Sequence, residues 1–161
     1  MLEKLDPQKA SLVIFAVAAA TIAGAWMFQF AGYDPCHLCL LQRWAYYFAV
    51  PFSLLLSVSA GANPKGARRG LYLLALVMLG SAIFGAYHAG VEWKWWPGPD
   101  TCSGDVSAGL PDLTKKVVAC NEAAIRILGL SLAGWNAVIS IALAGVALLG
   151  ARHQGSSSVS Q

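Results

Sequence analysis

GLYLLALVMLGSAIFGAYHAGV, Gly70 to Val91, contains no Asp, Glu, Lys or Arg. Three other runs share that property: Ala10 to Tyr33, Trp44 to Pro64 and Ile127 to Ala151. Counted inclusively, in chain order, the four runs are 24, 21, 22 and 25 residues long. A helix needs roughly 20 apolar residues to cross the hydrocarbon core of a bilayer. The runs lack the apolar/polar alternation of barrel strands. They therefore predict an all-α membrane protein, a bundle of four transmembrane helices spanning about 12–30, 44–60, 71–90 and 130–150. The chain is 57% hydrophobic and only 12% charged, about half the charged fraction of an ordinary soluble domain. Little is left for a second domain, so residues 1–154 read as one unit and the Ser-rich 155–161 as a disordered tail. The first run is longer than a cleaved leader core of about 7–15 residues, so it reads as a retained helix.

Four spans put both termini on one side, and charge says which. Lys4, Lys9, Lys65, Arg68, Arg69 and Arg152 fall on that side against Glu3 and Asp6. The opposite side has five basic and six acidic residues. Positively charged short connections stay cytoplasmic. The termini are thus expected in the cytoplasm, with a long outer loop, 92–126, between helices 3 and 4. Nothing in the charge pattern resembles a nucleic-acid footprint; the expected surroundings are a lipid bilayer.

All four cysteines, Cys36, Cys39, Cys102 and Cys120, then lie on the outer side, where disulfides persist. Pro35 suits the start of a helix, which places Cys36 and Cys39 at the mouth of the second span. Amide dipoles at a helix N-terminus favour the reactive thiolate. Arg43 follows Cys39 by four residues and shares its helix face. There it can steady a thiolate or an oxygen anion on a ligand, or simply snorkel to the interface. A zinc site is not expected, because four-cysteine sites use two close pairs, whereas Cys102 and Cys120 are 18 apart. Haem attachment is excluded because His37 follows Cys36 and not Cys39. Cys102 and Cys120 form either a structural staple or a second redox pair able to meet a soluble partner by thiol–disulfide exchange.

His88 lies near the outer end of the third span, at the depth of Cys36 and Arg43. It can hydrogen-bond a quinone oxygen or face the headgroups. Glu92, one turn on, is its partner or marks the helix exit. His37 sits between the cysteines, where it tunes them or is passive. Leu110, Leu113 and Val117 fall at helical spacing, as in a short interfacial or bundle-packed helix. Pro51 is expected to kink the second span. Ala20 and Gly24 are read as an ordinary small-residue packing face. The six tryptophans (26, 44, 93, 95, 96 and 135) map to the outer half, as an anchoring belt or as walls of a pocket for a flat ligand.

Taken together, Pro35-Cys36-His37-Leu38-Cys39-Leu40-Leu41-Gln42-Arg43, Tyr87-His88-Ala89-Gly90-Val91-Glu92-Trp93, Trp96-Pro97-Gly98-Pro99-Asp100-Thr101-Cys102 and Cys120 with Leu128-Gly129-Leu130-Ser131-Leu132 resemble the disulfide bond formation protein B (DsbB) family. The resemblance implies a bacterial inner-membrane enzyme that oxidises a periplasmic DsbA-like thioredoxin-fold protein and passes two electrons to ubiquinone or menaquinone. It implies that Cys102 is attacked by the partner thiolate, with Cys120 as its disulfide partner. Cys39 would face the quinone with Cys36 resolving, and Arg43 and His88 would bind the quinone. A glutathione-type couple cannot regenerate so strong an oxidant as DsbA, whereas a lipid quinone can. The 102–120 spacing is shorter than in familiar members. Ile125 and Ile127 replace aromatic residues, and Ala133 replaces a proline. These departures bear on partner choice. Rival readings are a vitamin K epoxide reductase-like oxidoreductase, a DsbD-type reductant carrier and a small scaffold with structural disulfides.

Overall fold

The computed structural model describes residues 5–99 and 120–152. Four helices dominate: α1 Pro7–Phe30, α2 His37–Ser59, α3 Pro64–Glu92 and α4 Leu132–Arg152. Each of the first three starts on a side-chain cap. Asp6 accepts the Lys9 amide at 2.8 Å, Cys36 accepts the Cys39 amide at 3.2 Å, and Asn63 accepts the Gly66 amide at 2.9 Å. Pro7 and Pro64 occupy first-turn positions, where a missing N–H costs nothing.

α1, α3 and α4 are each long and apolar enough to cross a membrane. α2 has 23 residues but also Gln42, Arg43 and three serines, and does not reach that apolarity. Leu76, Ile83, Val58 and Ile141 stand exposed on the bundle surface. Such a band is costly in water and suits a lipid surround.

The sequence places Lys65, Arg68 and Arg69 in a connection. In the structure the turn is confined to 60–63, and all three basic residues lie in the first turns of α3. The Asn63 cap and Pro64 start the helix earlier than hydropathy alone indicates. Arg68 Nε donates to the Ala151 carbonyl at 2.8 Å, satisfying an orphan acceptor at the end of α4. Pro51 lies inside α2.

The core is a seam of small and branched residues. Ile14, Leu71, Leu74, Met78 and Leu143 are fully buried among Ala10, Ala18, Ala144 and Ala147. Gly85 lets α3 meet α4: a Cβ there would lie 2.8 Å from Asn136 Nδ2 and 3.0 Å from the Ala137 backbone nitrogen. Such close approach increases dispersion contact where the hydrophobic effect offers little. A neutral polar network crosses the middle. Tyr46 Oη and Ser140 Oγ are 3.1 Å apart, Ser140 Oγ donates to Ser81 Oγ at 3.0 Å, and Asn136 Nδ2 donates to the Ser81 carbonyl at 3.4 Å.

Two short elements precede α4. β1 (Arg126–Ile127) pairs antiparallel with β2 (Leu130–Ser131), Arg126 opposite Ser131 and Ile127 opposite Leu130. Leu128 and Gly129 form the two-residue turn, with φ of 52° and 85°, the positive angles that match hairpin twist. Trp135 Nε1 donates to the Ile127 carbonyl at 2.9 Å, pinning this hairpin to α4. At the end of α3, Trp96 folds back, stacks on Tyr87 and donates from Nε1 to the Tyr87 carbonyl at 3.0 Å. Gly90 provides the room, since a Cβ there would collide with the Trp96 ring. Cys102, the Leu110–Val117 stripe and the tail 155–161 lie outside the described residues.

Candidate functional site

The loop 31–36 turns the chain from α1 into α2 and delivers Cys36 as the cap of α2. Cys39, one turn in, has its Sγ 2.6 Å from Cys36 Sγ. The two sulfurs nevertheless face different surroundings. Cys39 lines a cavity of about 380 Å³, together with Arg43, Gln42, Tyr46, Asn136 and Trp135. Cys36 is not on that wall; it is 5% exposed and packs with Leu38 and Cys120.

The cavity owes its existence to small residues. Ala20 and Gly24 of α1, expected as a packing face, instead line it, and a Cβ on Gly24 would meet nothing within 4 Å. Helix spacing alone does not reveal whether a small residue admits a neighbouring helix or leaves a void. Of the tryptophans, Trp135 alone is part of the lining. Trp26 and Trp44 gather around Tyr47, and Trp93, Trp95 and Trp96 form a cluster at the end of α3, as in an interfacial belt. Arg43 is held by Gln29, whose Oε1 accepts from Nη1 at 2.6 Å, and by the Ala25 carbonyl, 3.5 Å from Nη2. That anchorage fixes a cation at the cavity wall.

His88 is fully buried and lies behind Cys36, not on the cavity lining. Its Nε2 is 3.6 Å from Cys36 Sγ, and its Nδ1 is 2.8 Å from Gln42 Nε2. Glu92, one turn along α3, brings Oε1 to 3.9 Å from the same Nε2. Gln42 and Gln29 orient the imidazole and the guanidinium, a role the sequence motif around Gln42 does not itself reveal. Each is an uncharged amide in an apolar stretch on the stripe facing the site, which is the signal that marks them.

Cys36 precedes the first residue of α2 and lies outside the expected span. The hydrogen-bonded Cys39 thiol, followed by the His88 contact, holds Cys36 below the usual thiol range against the opposing effect of burial. A low-lying thiol beside a second thiol is the arrangement that supports thiol–disulfide exchange. Cys120 is buried, disulfide-bonded and in the Cys36 cluster. The structure thus brings together Cys36, Cys39, Cys120, His88 and Arg43; Cys102 is the one expected site residue outside the described chain. Among the described residues, no hydrogen bond or ion pair joins His37 to Cys36, Cys39, Arg43 or His88. Cys36, Cys39 and His88 present donor atoms within 4.8 Å of one another.

A four-helix protein with three membrane-length apolar helices, carrying a dithiol and a disulfide at one end, belongs to the class of integral membrane thiol–disulfide proteins. The comparison with known families specifies which. Residues 7–150 match the family described as Disulfide bond formation protein DsbB, and the chain belongs to that family. It is 31% identical over 129 residues to the disulfide bond formation protein B of Albidiferax ferrireducens, covering 72% of this chain and 70% of that protein. It is 33% identical over 144 residues to the protein of that name from Pseudomonas syringae pv. tomato, covering 81% and 82%. It is also 25% identical over 143 residues to an uncharacterized protein of Rickettsia prowazekii, covering 83% and 81%. No solved structure matches the chain. Family membership carries a role in disulfide bond formation.

Proposed function

We propose that this protein is a quinone-dependent thiol oxidase of the bacterial inner membrane. It oxidises the dithiol of a periplasmic DsbA-like thioredoxin-fold protein and passes the two electrons to membrane quinone. All four helices span, α2 included, with both termini cytoplasmic and the cysteines periplasmic. The observation that carries this reading is the split pair: Cys39 borders the cavity, while its neighbour Cys36 packs against Cys120.

The cavity suits a quinone headgroup. Its size is at the lower end of small-molecule sites, its walls are mainly aliphatic and aromatic, and Arg43 offers a fixed cation. Arg43 would hold the headgroup through one of its oxygens. A bound quinone supplies an acceptor for two electrons and two protons.

The protein's own residues do the rest. Cys102, in disulfide with Cys120, accepts attack by the partner thiolate: the Cys102–Cys120 bond breaks, a mixed disulfide forms, and Cys120 leaves as thiolate. The second partner thiolate attacks the mixed disulfide, so the partner leaves oxidised and Cys102 leaves as thiolate. Cys120 thiolate attacks Cys36 of the Cys36–Cys39 disulfide. A Cys36–Cys120 bond forms, and the electron pair emerges on Cys39 at the cavity wall. Arg43 and the α2 N-terminus stabilise that negative charge. Cys102 thiolate then attacks Cys120, restoring the loop disulfide and releasing Cys36 as thiolate; Cys36 recloses on Cys39 once the acceptor has taken the electron pair.

The test mixes purified protein, reduced thioredoxin-fold partner and a short-chain ubiquinone, and follows quinone absorbance alongside alkylation of partner thiols. Stoichiometric loss of both, abolished by Cys39→Ser and by Cys102→Ser, supports the reading. Quinone reduction that survives Cys39→Ser overturns it.

A further inference from the structure

Glu92 is only partly satisfied as a carboxylate: the Ser131 hydroxyl donates to it and Arg126 acts on it electrostatically, yet one oxygen is left over. It is the last residue of α3, where the helix dipole disfavours negative charge. It is 8% exposed, at the end of an apolar span, where an ionised group is expensive. Its Oε2 has no hydrogen-bond partner among the described residues. A glutamine of equal shape would avoid the charge. What distinguishes an acid from its amide is the ability to take up and release a proton.

The neighbours supply the proton's route. His88 Nε2 stands between Cys36 Sγ at 3.6 Å and Glu92 Oε1 at 3.9 Å, and its other nitrogen is tied to Gln42 at 2.8 Å. Cys36, His88 and Glu92 are 5%, 0% and 8% exposed. Solvent is therefore a poor base for Cys36, and a buried thiolate with no counterbalance is costly.

We propose that Glu92 is a positioning residue that shares one proton with Cys36 through His88, making Cys36 available as thiolate without a net change of charge in the buried cluster. The inference rests on the thiol-exchange reading of Cys36. In the balanced step the Cys36 S–H bond breaks, Nε2 relays the proton, and an O–H bond forms on Glu92. The negative charge moves from carboxylate to sulfur, and the imidazole ends as it began. The relay requires the Gln42 amide to accept from Nδ1–H through its oxygen, leaving Nε2 its lone pair. That is a turn of the amide that keeps the heavy-atom positions. Cys36 and Cys39 at the start of α2, His88 on its own helix and Arg126 of β1 are the titratable or charged groups that act on Glu92 among the described residues.

Two groups sharing a proton titrate as a pair with two macroscopic steps. The experiment reduces the full-length protein in detergent, without partner or quinone, and alkylates it with iodoacetamide across the pH range. The rate at Cys36 is read by peptide mass spectrometry. In the wild type, Cys36 reactivity should rise in two steps separated by a plateau of at least about one pH unit. Glu92→Gln should give a single step, and Glu92→Asp should restore two. A single step in the wild type, or identical two-step curves in wild type and Glu92→Gln, would overturn the proposal. Infrared spectroscopy of the glutamate-labelled wild type does not depend on how the variants fold. Blocking Cys36 must change the carboxylic acid C=O band, and an unchanged band refutes the sharing. Because neither readout uses the partner or quinone, failure here is separable from failure of the oxidase reading.

Discussion

Two polar clusters are buried in this bundle, and they differ in kind. In the middle, Tyr46, Ser81, Asn136 and Ser140 are neutral and hydrogen-bonded to one another across α2, α3 and α4. At one end, Cys36, His88, Gln42 and Glu92 include three ionisable groups, long contacts and an oxygen without a partner among the described residues. The first cluster has the form of helix-joining glue. Interhelical hydrogen bonds of this type contribute modestly, about 0.6 kcal/mol each on average. The second cluster makes little sense as glue, since unsatisfied ionisable groups destabilise a low-dielectric interior. Its composition is explained by thiol chemistry.

Substitutions should separate the two. The largest effect is expected from Cys39→Ser, which should abolish coupled partner oxidation and quinone loss in the spectrophotometric assay while leaving helicity by circular dichroism unchanged. Arg43→Ala removes a charge-assisted contact with an oxygen ligand, worth about 1.5–3 kcal/mol. Ubiquinone titrations should show a KM raised roughly tenfold to a hundredfold, with helicity by circular dichroism unchanged. Gly85→Leu forces α3 from α4 at Asn136 and should cost about 1–3 kcal/mol in thermal unfolding. Ser140→Ala is the mildest. It should lose about 0.6 kcal/mol and leave thiol oxidation intact. Loss of oxidation in Ser140→Ala would erase the distinction between the clusters.

Lowering the pH should discriminate them too. Cys36 lies below the ordinary thiol range, so its alkylation should persist below pH 7, where an unperturbed thiol of pKa about 8.5 is almost wholly protonated. Alkylation that disappears with an ordinary thiol profile would show that the Cys39 and His88 contacts do not act in solution.

Much of this was visible in the chain. Charge-free runs locate the helices, and Cys36-His37-Leu38-Cys39 with Arg43 marks one end of the site. The helix ends were less legible, because hydropathy reports the apolar stretch and not the cap: Asn63 and Pro64 start α3 in the basic segment. Gly24 and Ala20 looked like a contact face because small residues carry no sign of whether the facing helix is near. The position of His88 behind Cys36 depends on the rotation of α3 against α2, which one-dimensional spacing does not encode. The same holds for Cys120, brought to Cys36 across 83 intervening positions by the hairpin that Leu128, Gly129 and Trp135 secure.

The central claim is that the paired cysteines look two ways, Cys36 toward the loop disulfide and Cys39 toward the cavity. Its most direct test is to mix the wild-type protein with reduced thioredoxin-fold partner under limiting quinone, quench with acid and map the disulfides by mass spectrometry. The account predicts that a Cys36–Cys120 bond accumulates with Cys39 left free. A Cys39–Cys120 bond with Cys36 free would contradict it.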